Sequence, residues 1–133
     1  MIQLFKVNSH KIDTSNFSNL LHDNVVEIFE KTIADYVGAK YACSINSATN
    51  AIFLSMLNKN VTVDLPSMIP PVVANALVTS GNKINFIDNV EWVGDSYTLH
   101  QFDDYKIVDS AQKLEKNQFE KECNSEDLMF FSF

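Results

Sequence analysis

Residues 44–57, SINSATNAIFLSML, indicate how this chain folds. The run at 41–45, which overlaps the start of this stretch, predicts a strand, and Asn46 and Ser47 end it. The residues from Ala48 onward are apolar almost all round, which predicts a buried helix. Ser47 is suited to cap this helix, because its side-chain oxygen can accept a backbone N–H of the first turn. We therefore expect a strand that leads directly into a buried helix.

The start of this helix is a candidate phosphate site. A helix start offers free backbone N–H groups and the positive end of the helix dipole, and small hydroxyl residues such as Ser47 and Thr49 let an anion come close. The same residues also fit an ordinary capped helix without any ligand, which is the simpler interpretation. From this stretch alone both interpretations stay open.

Composition limits the class of protein. A chain of 133 residues, 46% of them hydrophobic, is long enough for one domain with a sizeable core. No apolar run approaches membrane-spanning length and no signal-peptide core is visible, so we expect a soluble, cytoplasmic protein with Cys43 and Cys123 reduced. A net charge of −7 and the absence of arginine argue against nucleic acid as a partner. Any anion site must therefore use backbone N–H groups, hydroxyls and lysines.

Helical and strand patterns alternate along the chain. Helical spacing from Asn24 predicts a helix that ends at Gly38, and the prolines at 70–71 begin a further apolar helix that closes on Gly81. Strands are predicted near 41–45, 61–65, 84–87, 105–109 and 128–132. This order predicts an α/β fold with three layers, α/β/α, around a mostly parallel and buried sheet.

Two segments and the chain start are less regular. Residues 89–104 fit either a hairpin or an irregular connection, and the polar residues 110–127 fit a loop or a surface helix. Residues 1–17 show no clear period, so we expect a loosely packed N-terminal arm. The whole chain, 1–133, is expected to form a single domain.

Several short motifs then follow one another in a specific order. They are FEKTIADYVGAKYA at 29–42, SATNAI at 47–52, LPS at 65–67, ANAL at 74–77, FID at 86–88, VDSAQ at 108–112 and FSF at 131–133. Together they resemble the DegT/StrS-type sugar aminotransferases, which are pyridoxal-phosphate enzymes with the aspartate-aminotransferase type of fold. The resemblance covers roughly residues 24–88 and 105–133. It implies a shortened large domain of a nucleotide-sugar aminotransferase that acts in sugar or polysaccharide biosynthesis.

The resemblance implies how the phosphate of pyridoxal phosphate would be held. Ser47 begins the motif, and the backbone N–H groups of Ala48 and Thr49, with the Thr49 hydroxyl, would bind the phosphate at the helix start. Ser132 would add a second hydroxyl. These roles agree with the phosphate site that the residues themselves suggest.

The resemblance also implies contacts to the cofactor ring. Asp109 would pair with the pyridine nitrogen and keep it protonated, so that the ring acts as an electron sink. Gln112 would lie near the ring hydroxyl. Without the family, Asp109 is better explained as a solvated acid at a strand end.

Other features depart from the family pattern. The family's Schiff-base lysine lies beyond the SF pair at 132–133, and no lysine of this sequence stands there. The family's second domain is missing, and the segment between Asp88 and Tyr105 is shorter than in the family. Pro70 aligns with the family's ring-stacking aromatic residue. Ala48 stands where the family motif has a glycine. We therefore expect no catalytic residue in this chain and no transamination by this chain alone. Lys113 and Lys116 are expected to be solvent-exposed, protonated and poorly nucleophilic.

Three hypotheses for the function remain open. In the first, the chain is a truncated aminotransferase-like domain, and a second chain could supply its missing parts. In the second, it is a non-catalytic module that binds a phosphorylated ligand at 47–49. In the third, it is a dimerisation domain. Phe130, Phe131 and Phe133 stand where the family continues, so we expect a homodimer or larger assembly. A sugar nucleotide is a candidate ligand, and a membrane is not expected. His10, His22 and His100 are too scattered to suggest a metal site.

Overall fold

The computed structural model describes Ser15 and residues 24–133. The α-helices span Asn24–Val37 (α1), Ala48–Ser55 (α2), Pro71–Thr79 (α3) and Gln118–Glu122 (α4). The strands span Thr62–Pro66 (β1), Lys83–Ile87 (β2), Tyr97–Gln101 (β3), Lys106–Asp109 (β4) and Leu128–Phe130 (β5). The predicted arm at 1–17 lies outside the described residues apart from Ser15. No helix in the described part of the chain is long and apolar enough to cross a membrane.

The strands form one pair and one group of three. β1 and β2 are parallel, with Thr62 opposite Lys83 and Pro66 opposite Ile87. In the second sheet β4 is central, with β3 antiparallel on one side and β5 parallel on the other. The predicted α/β class with mostly parallel strands is confirmed, because β1–β2 and β4–β5 are both parallel pairs.

The core lies where α2 and α3 meet β1, β3 and β4. Its buried members are Ile52, Met56, Val63, Leu65, Ile69, Val73, Ala76, Leu77, Leu99 and Ile107. Each large side chain removed from water in this way contributes about 1.5–3 kcal/mol before the loss of chain entropy is counted. The core therefore fixes α2 and α3 against the strands that lead into the cavity described below.

A buried amide connects three backbone segments beside this core. The side-chain nitrogen of Asn82 donates to the carbonyl oxygen of Met56 at 2.7 Å, just after α2. Its side-chain oxygen accepts the backbone N–H of Val61 at 3.2 Å, just before β1. Asn82 itself is 6% exposed and lies at the start of β2, so its hydrogen bonds hold α2, β1 and β2 together.

The strand predicted at 41–45 does not form. Tyr41 is 77% exposed and Ile45 is 43% exposed, so the run does not enter the core. A hydrogen bond to a side chain takes the place of strand pairing, because the Glu30 carboxylate accepts the backbone N–H of Ser44 at 2.7 Å and its hydroxyl at 2.8 Å. These hydrogen bonds hold the pKa of Glu30 below its usual value. The residues before α2 are thus attached to α1 and not to a sheet.

The expectation of a buried sheet is wrong for β2 and β5, which are partly exposed. Phe86 in β2 is 59% exposed and Leu128 in β5 is 41% exposed. No other described element covers these two side chains, which remain accessible to solvent. The helix α2 is likewise buried on one side only, with Leu54 58% exposed.

The region at 89–104 contains a strand that the sequence left undecided. β3 forms a hairpin with β4, and the backbone N–H of Phe102 donates to the carbonyl oxygen of Tyr105 at 2.8 Å in the connecting turn. Of the two alternatives for 89–104, the hairpin is correct for its second half. The polar region at 110–127 contains the short helix α4, as one alternative predicted.

Gly38 provides a test of the contact between α1 and α4. Its φ is +77°, and a Cβ there would lie 3.0 Å from the Cβ of Glu120. Because the left-handed conformation alone costs a non-glycine residue about 1–2 kcal/mol, Gly38→Ala should lower the free energy of unfolding by more than this amount. Gly81→Ala is the matched control, since its φ is +91° but the nearest atom is 3.8 Å away. Urea denaturation measures the free energy of unfolding of both variants. Equal decreases for Gly38→Ala and Gly81→Ala would show that Glu120 does not constrain Gly38.

Candidate functional site

A cavity of about 150 Å³ lies where the start of α2, the start of α3, the end of β4 and the segment after β5 meet. Its lining consists of Ala48, Thr49, Ile52, Ile69, Pro70, Val72, Val73, Trp92, Asp95, Tyr97, Asp109, Ala111, Gln112 and Ser132. The position follows from the parallel pairing of β4 and β5, because the carboxyl ends of parallel strands meet at one edge. That edge is where parallel α/β proteins bind ligands.

The start of α2 forms one wall of the cavity. Ser47 is the N-cap, with φ −163° and ψ 151°, and its hydroxyl oxygen accepts the backbone N–H of Asn50 at 3.1 Å. The predicted capping role of Ser47 is confirmed. Ala48 and Thr49 are the first residues of the helix and line the cavity, and N–H groups at this position have no acceptor within the helix. An anion in the cavity would meet these donors and the positive end of the helix dipole.

Asp109 ends β4, lines the same cavity and is only 5% exposed. One carboxylate oxygen accepts the phenol of Tyr97 at 3.0 Å, and the other accepts the backbone N–H of Ala111 at 3.0 Å. The alternative of a solvated strand-end acid is therefore wrong. Burial, together with the charge of Asp109 and the hydrogen bond to it, raises the pKa of Tyr97 above its ordinary value, so the phenol remains a proton donor at neutral pH.

Gln112 and Ser132 complete the set of predicted cofactor residues. The side-chain oxygen of Gln112 accepts the backbone N–H of Gly94 at 2.7 Å, which attaches the turn at 91–95 to the cavity. Ser132 lies just beyond β5 and also lines the cavity. Every predicted cofactor residue except Ser47 lines the cavity. Their contact with pyridoxal phosphate stays a prediction.

Sequence reasoning missed Trp92, Asp95 and Tyr97 as lining residues. Trp92 is 8% exposed, although its neighbour Val93 is 62% exposed. Tyr97 lies opposite Asp109 in the β3–β4 pairing. The available signal was the presence of Trp92 and Tyr97 close together in the irregular segment at 89–104.

Lys113 differs from its predicted solvent-exposed position. Its side chain is 20% exposed and its ammonium lies 2.8 Å from Asp95 and 2.9 Å from Glu122. The hydrogen bonds to Asp95 and then to Glu122 raise the pKa of Lys113, so the amine stays protonated and is a poor nucleophile, as expected. Burial raises the pKa of Glu122, but hydrogen bonds from Ser96, Lys113 and Gln118 outweigh it and leave that pKa below its usual value.

The thiols and imidazole that the structure describes lie outside this arrangement. Cys43 and Cys123 are unpaired, and burial raises the pKa of the Cys123 thiol to about 11, which keeps it protonated at neutral pH. Burial lowers the pKa of His100, whose ring stands edge-on to Phe102. Across the described ranges, no group of three or more His, Cys, Asp and Glu residues could hold a metal ion.

The structure is of the α/β class, with a cavity lined by a helix start and by a buried carboxylate. The model of the DegT/DnrJ/EryC1/StrS aminotransferase family matches residues 8–96. The chain belongs to this family, and the resemblance that its motifs indicated is confirmed. Asp109, Gln112 and Ser132 lie beyond the matched residues, so their roles rest on the cavity and on the motif resemblance.

Two relatives come from Campylobacter jejuni subsp. jejuni, and both carry the name UDP-4-amino-4,6-dideoxy-N-acetyl-beta-L-altrosamine transaminase. The relative from serotype O:23/36 (strain 81-176) is 30% identical over 97 residues, covering 66% of this chain and 26% of the relative. The relative from serotype O:2 (strain ATCC 700819 / NCTC 11168) is 31% identical over 90 residues, covering 61% of this chain and 24% of the relative. The chain thus spans about a quarter of the length of these curated relatives. No solved structure matches it at a significant level.

The bond between Tyr97 and Asp109 predicts a pH dependence of stability. The pKa of Tyr97 is raised in the folded state above 10.0, so the unfolded chain loses this phenol proton first as the pH rises. Stability from this group is fully present below about pH 10 and is lost above it. Tyr97→Phe should lower the free energy of unfolding by about 1 kcal/mol near neutral pH. This gap between the wild type and the variant in free energy of unfolding should narrow at alkaline pH.

Urea denaturation of the wild type and the variant at about pH 8 and about pH 11 measures this gap. Tyr105→Phe is the control, because it removes a phenol away from Asp109. A gap that stays constant or widens at the higher pH would contradict the assigned hydrogen bond.

Proposed function

We propose that this chain forms the part of a sugar aminotransferase that binds pyridoxal phosphate. The observation that carries the proposal is a cavity lined both by the start of α2 and by the buried carboxylate of Asp109. Membership of an aminotransferase family supports the reaction class. Both relatives are named as transaminases of a UDP-linked amino sugar. From these names we infer that the substrate of this protein is also a nucleotide sugar.

The donor set fits a phosphate group. The backbone N–H groups of Ala48 and Thr49 face an anion with the helix dipole behind them, and the hydroxyls of Thr49 and Ser132 supply further donors. No lysine or arginine lines the cavity among the described residues, so the phosphate would be held by neutral donors. Ligand cavities usually measure about 300–1,000 Å³, and one of about 150 Å³ therefore fits the cofactor in part and leaves a nucleotide sugar outside.

Asp109 fits the cofactor ring. Each oxygen of its carboxylate accepts one hydrogen bond, from Tyr97 or from Ala111, and these bonds fix the orientation of the carboxylate. Its negative charge would hold a proton on the pyridine nitrogen, and pyridoxal phosphate, when bound, supplies an electron sink for amino-group transfer. Gln112 orients the turn at 91–95 and lies at the same wall. These residues would bind and orient the cofactor.

We also propose a cytoplasmic protein that assembles as a homo-oligomer. On α1, Ile28 is 62% exposed and Phe29 is 44% exposed, and the ring of Phe29 meets that of Phe133 at 5.6 Å, so apolar surface remains open. Light scattering of the purified protein should give a mass of two chains or more. A monomer at high concentration would contradict the assembly.

The affinity for pyridoxal phosphate tests the site. Thr49→Val keeps the side-chain shape and removes the hydroxyl, so the dissociation constant for pyridoxal phosphate should rise about tenfold, the effect of a lost hydrogen bond to a charged group. Equilibrium dialysis with absorbance detection measures it. Thr32→Val is the matched control, because the Thr32 hydroxyl donates to the carbonyl oxygen of Ile28 on α1 at 2.6 Å and leaves the cavity untouched.

Asp109→Asn separates a cofactor site from a simple phosphate-binding module. The variant should bind pyridoxal phosphate more weakly than the wild type does. Its affinity for inorganic phosphate should be unchanged, because only the cofactor carries a ring nitrogen. Equal affinity of the wild type and Asp109→Asn for pyridoxal phosphate would favour the non-catalytic phosphate module instead. Failure of the wild type to bind pyridoxal phosphate would overturn the proposed function.

A further inference from the structure

Trp92 is a buried residue within an exposed turn. The turn at 91–95 connects β2 to β3, and its members Glu91, Val93, Gly94 and Asp95 are all exposed. Trp92 is 8% exposed and lines the cavity together with Thr49 and Asp109. The turn therefore places a single large aromatic side chain at the candidate site.

The turn is attached to the cavity wall by contacts outside itself. The backbone N–H of Gly94 donates to the side-chain oxygen of Gln112 at 2.7 Å, and the Asp95 carboxylate lies 2.8 Å from the Lys113 ammonium. Within the turn, the backbone N–H of Asp95 donates to the carbonyl oxygen of Trp92 at 3.1 Å. These contacts hold the backbone of the turn in place on the C-terminal side of Trp92.

The indole nitrogen of Trp92 is an exception among the buried side-chain nitrogen and oxygen atoms of the described residues. It is buried and has no hydrogen-bond partner among the described residues. The N–H of a buried tryptophan usually finds an acceptor, and a buried donor left without one costs about 1–3 kcal/mol. The neighbouring Tyr97, the other aromatic residue of the lining, uses its hydroxyl for Asp109.

We propose that Trp92 contacts the ligand of this cavity and that its indole N–H donates a hydrogen bond to an oxygen of that ligand. The rest of the lining suits a ligand of particular chemistry: the donors at the start of α2 suit an oxygen-rich anion, and the carboxylate of Asp109 suits a protonated nitrogen. A phosphorylated pyridine carries both groups, together with a planar ring that suits an aromatic neighbour. The inference rests on the proposed function and adds to it a contact residue from the turn at 91–95.

The protein contains one tryptophan, so a ¹⁵N-labelled sample gives a single indole N–H signal that needs no assignment. Addition of pyridoxal phosphate should move the proton of this signal downfield, as hydrogen bonding to an oxygen does. Trp92→Phe keeps an aromatic ring and removes the donor, so its dissociation constant for pyridoxal phosphate in equilibrium dialysis should rise about tenfold. Tyr105→Phe, which alters an aromatic residue outside the cavity, should bind as the wild type does.

The outcomes separate this inference from the proposed function. If the wild type binds pyridoxal phosphate but the indole signal does not move, or if Trp92→Phe binds it with unchanged affinity, the inference is overturned and the proposed function stands. If the wild type does not bind pyridoxal phosphate, the proposed function fails and this inference fails with it. The indole signal tests the contact on the unmodified protein, so the result does not depend on the folding of Trp92→Phe.

Discussion

The pairing of β3 with β4 is the constraint on which the candidate site depends. Because the two strands are antiparallel, the first residue of β3, Tyr97, lies opposite the last residue of β4, Asp109. The phenol can then donate to the carboxylate at 3.0 Å and keep it fixed in a place that is only 5% exposed. A buried carboxylate without such donors would lack hydrogen-bond partners, which is costly in the protein interior.

The residues that follow Asp109 also bind the turn at 91–95, which contributes Trp92 and Asp95 to the lining of the cavity. Asp109 is followed closely by Gln112 and Lys113, which hold Gly94 and Asp95 respectively. The Asp95 carboxylate lines the cavity and shares the Lys113 ammonium with Glu122, whereas no ion pair joins Asp109 among the described residues. Asp109 is therefore the buried carboxylate of the lining.

The absence of arginine shapes the other wall. In a chain whose basic residues are all lysines, an anion cannot be held by a bidentate guanidinium, and the lining described here contains no lysine either. Binding at the start of α2 must then use backbone N–H groups and hydroxyls, which act at short range and need an accurately placed helix start. The Ser47 cap supplies that placement, and the core residue Ile52 on the same helix anchors it.

The sequence by itself determined the elements that depend on local chemistry. The cap at Ser47, the helix end at Gly38, the strand that ends in Asp109 and the ordered family motifs were all readable, because each depends on a few neighbouring residues. The strand at 41–45 was wrong because strand formation requires a neighbouring strand, and the hydrogen bond from Ser44 to Glu30 comes from another part of the chain. Only the tertiary structure placed Trp92 and Tyr97 beside Asp109, moved Lys113 into ion pairs and brought Ala48, Thr49 and Ser132 to one cavity. These placements join residues far apart in the chain, and the free energy that selects them comes from burial and strand pairing across the whole domain, which no local pattern records.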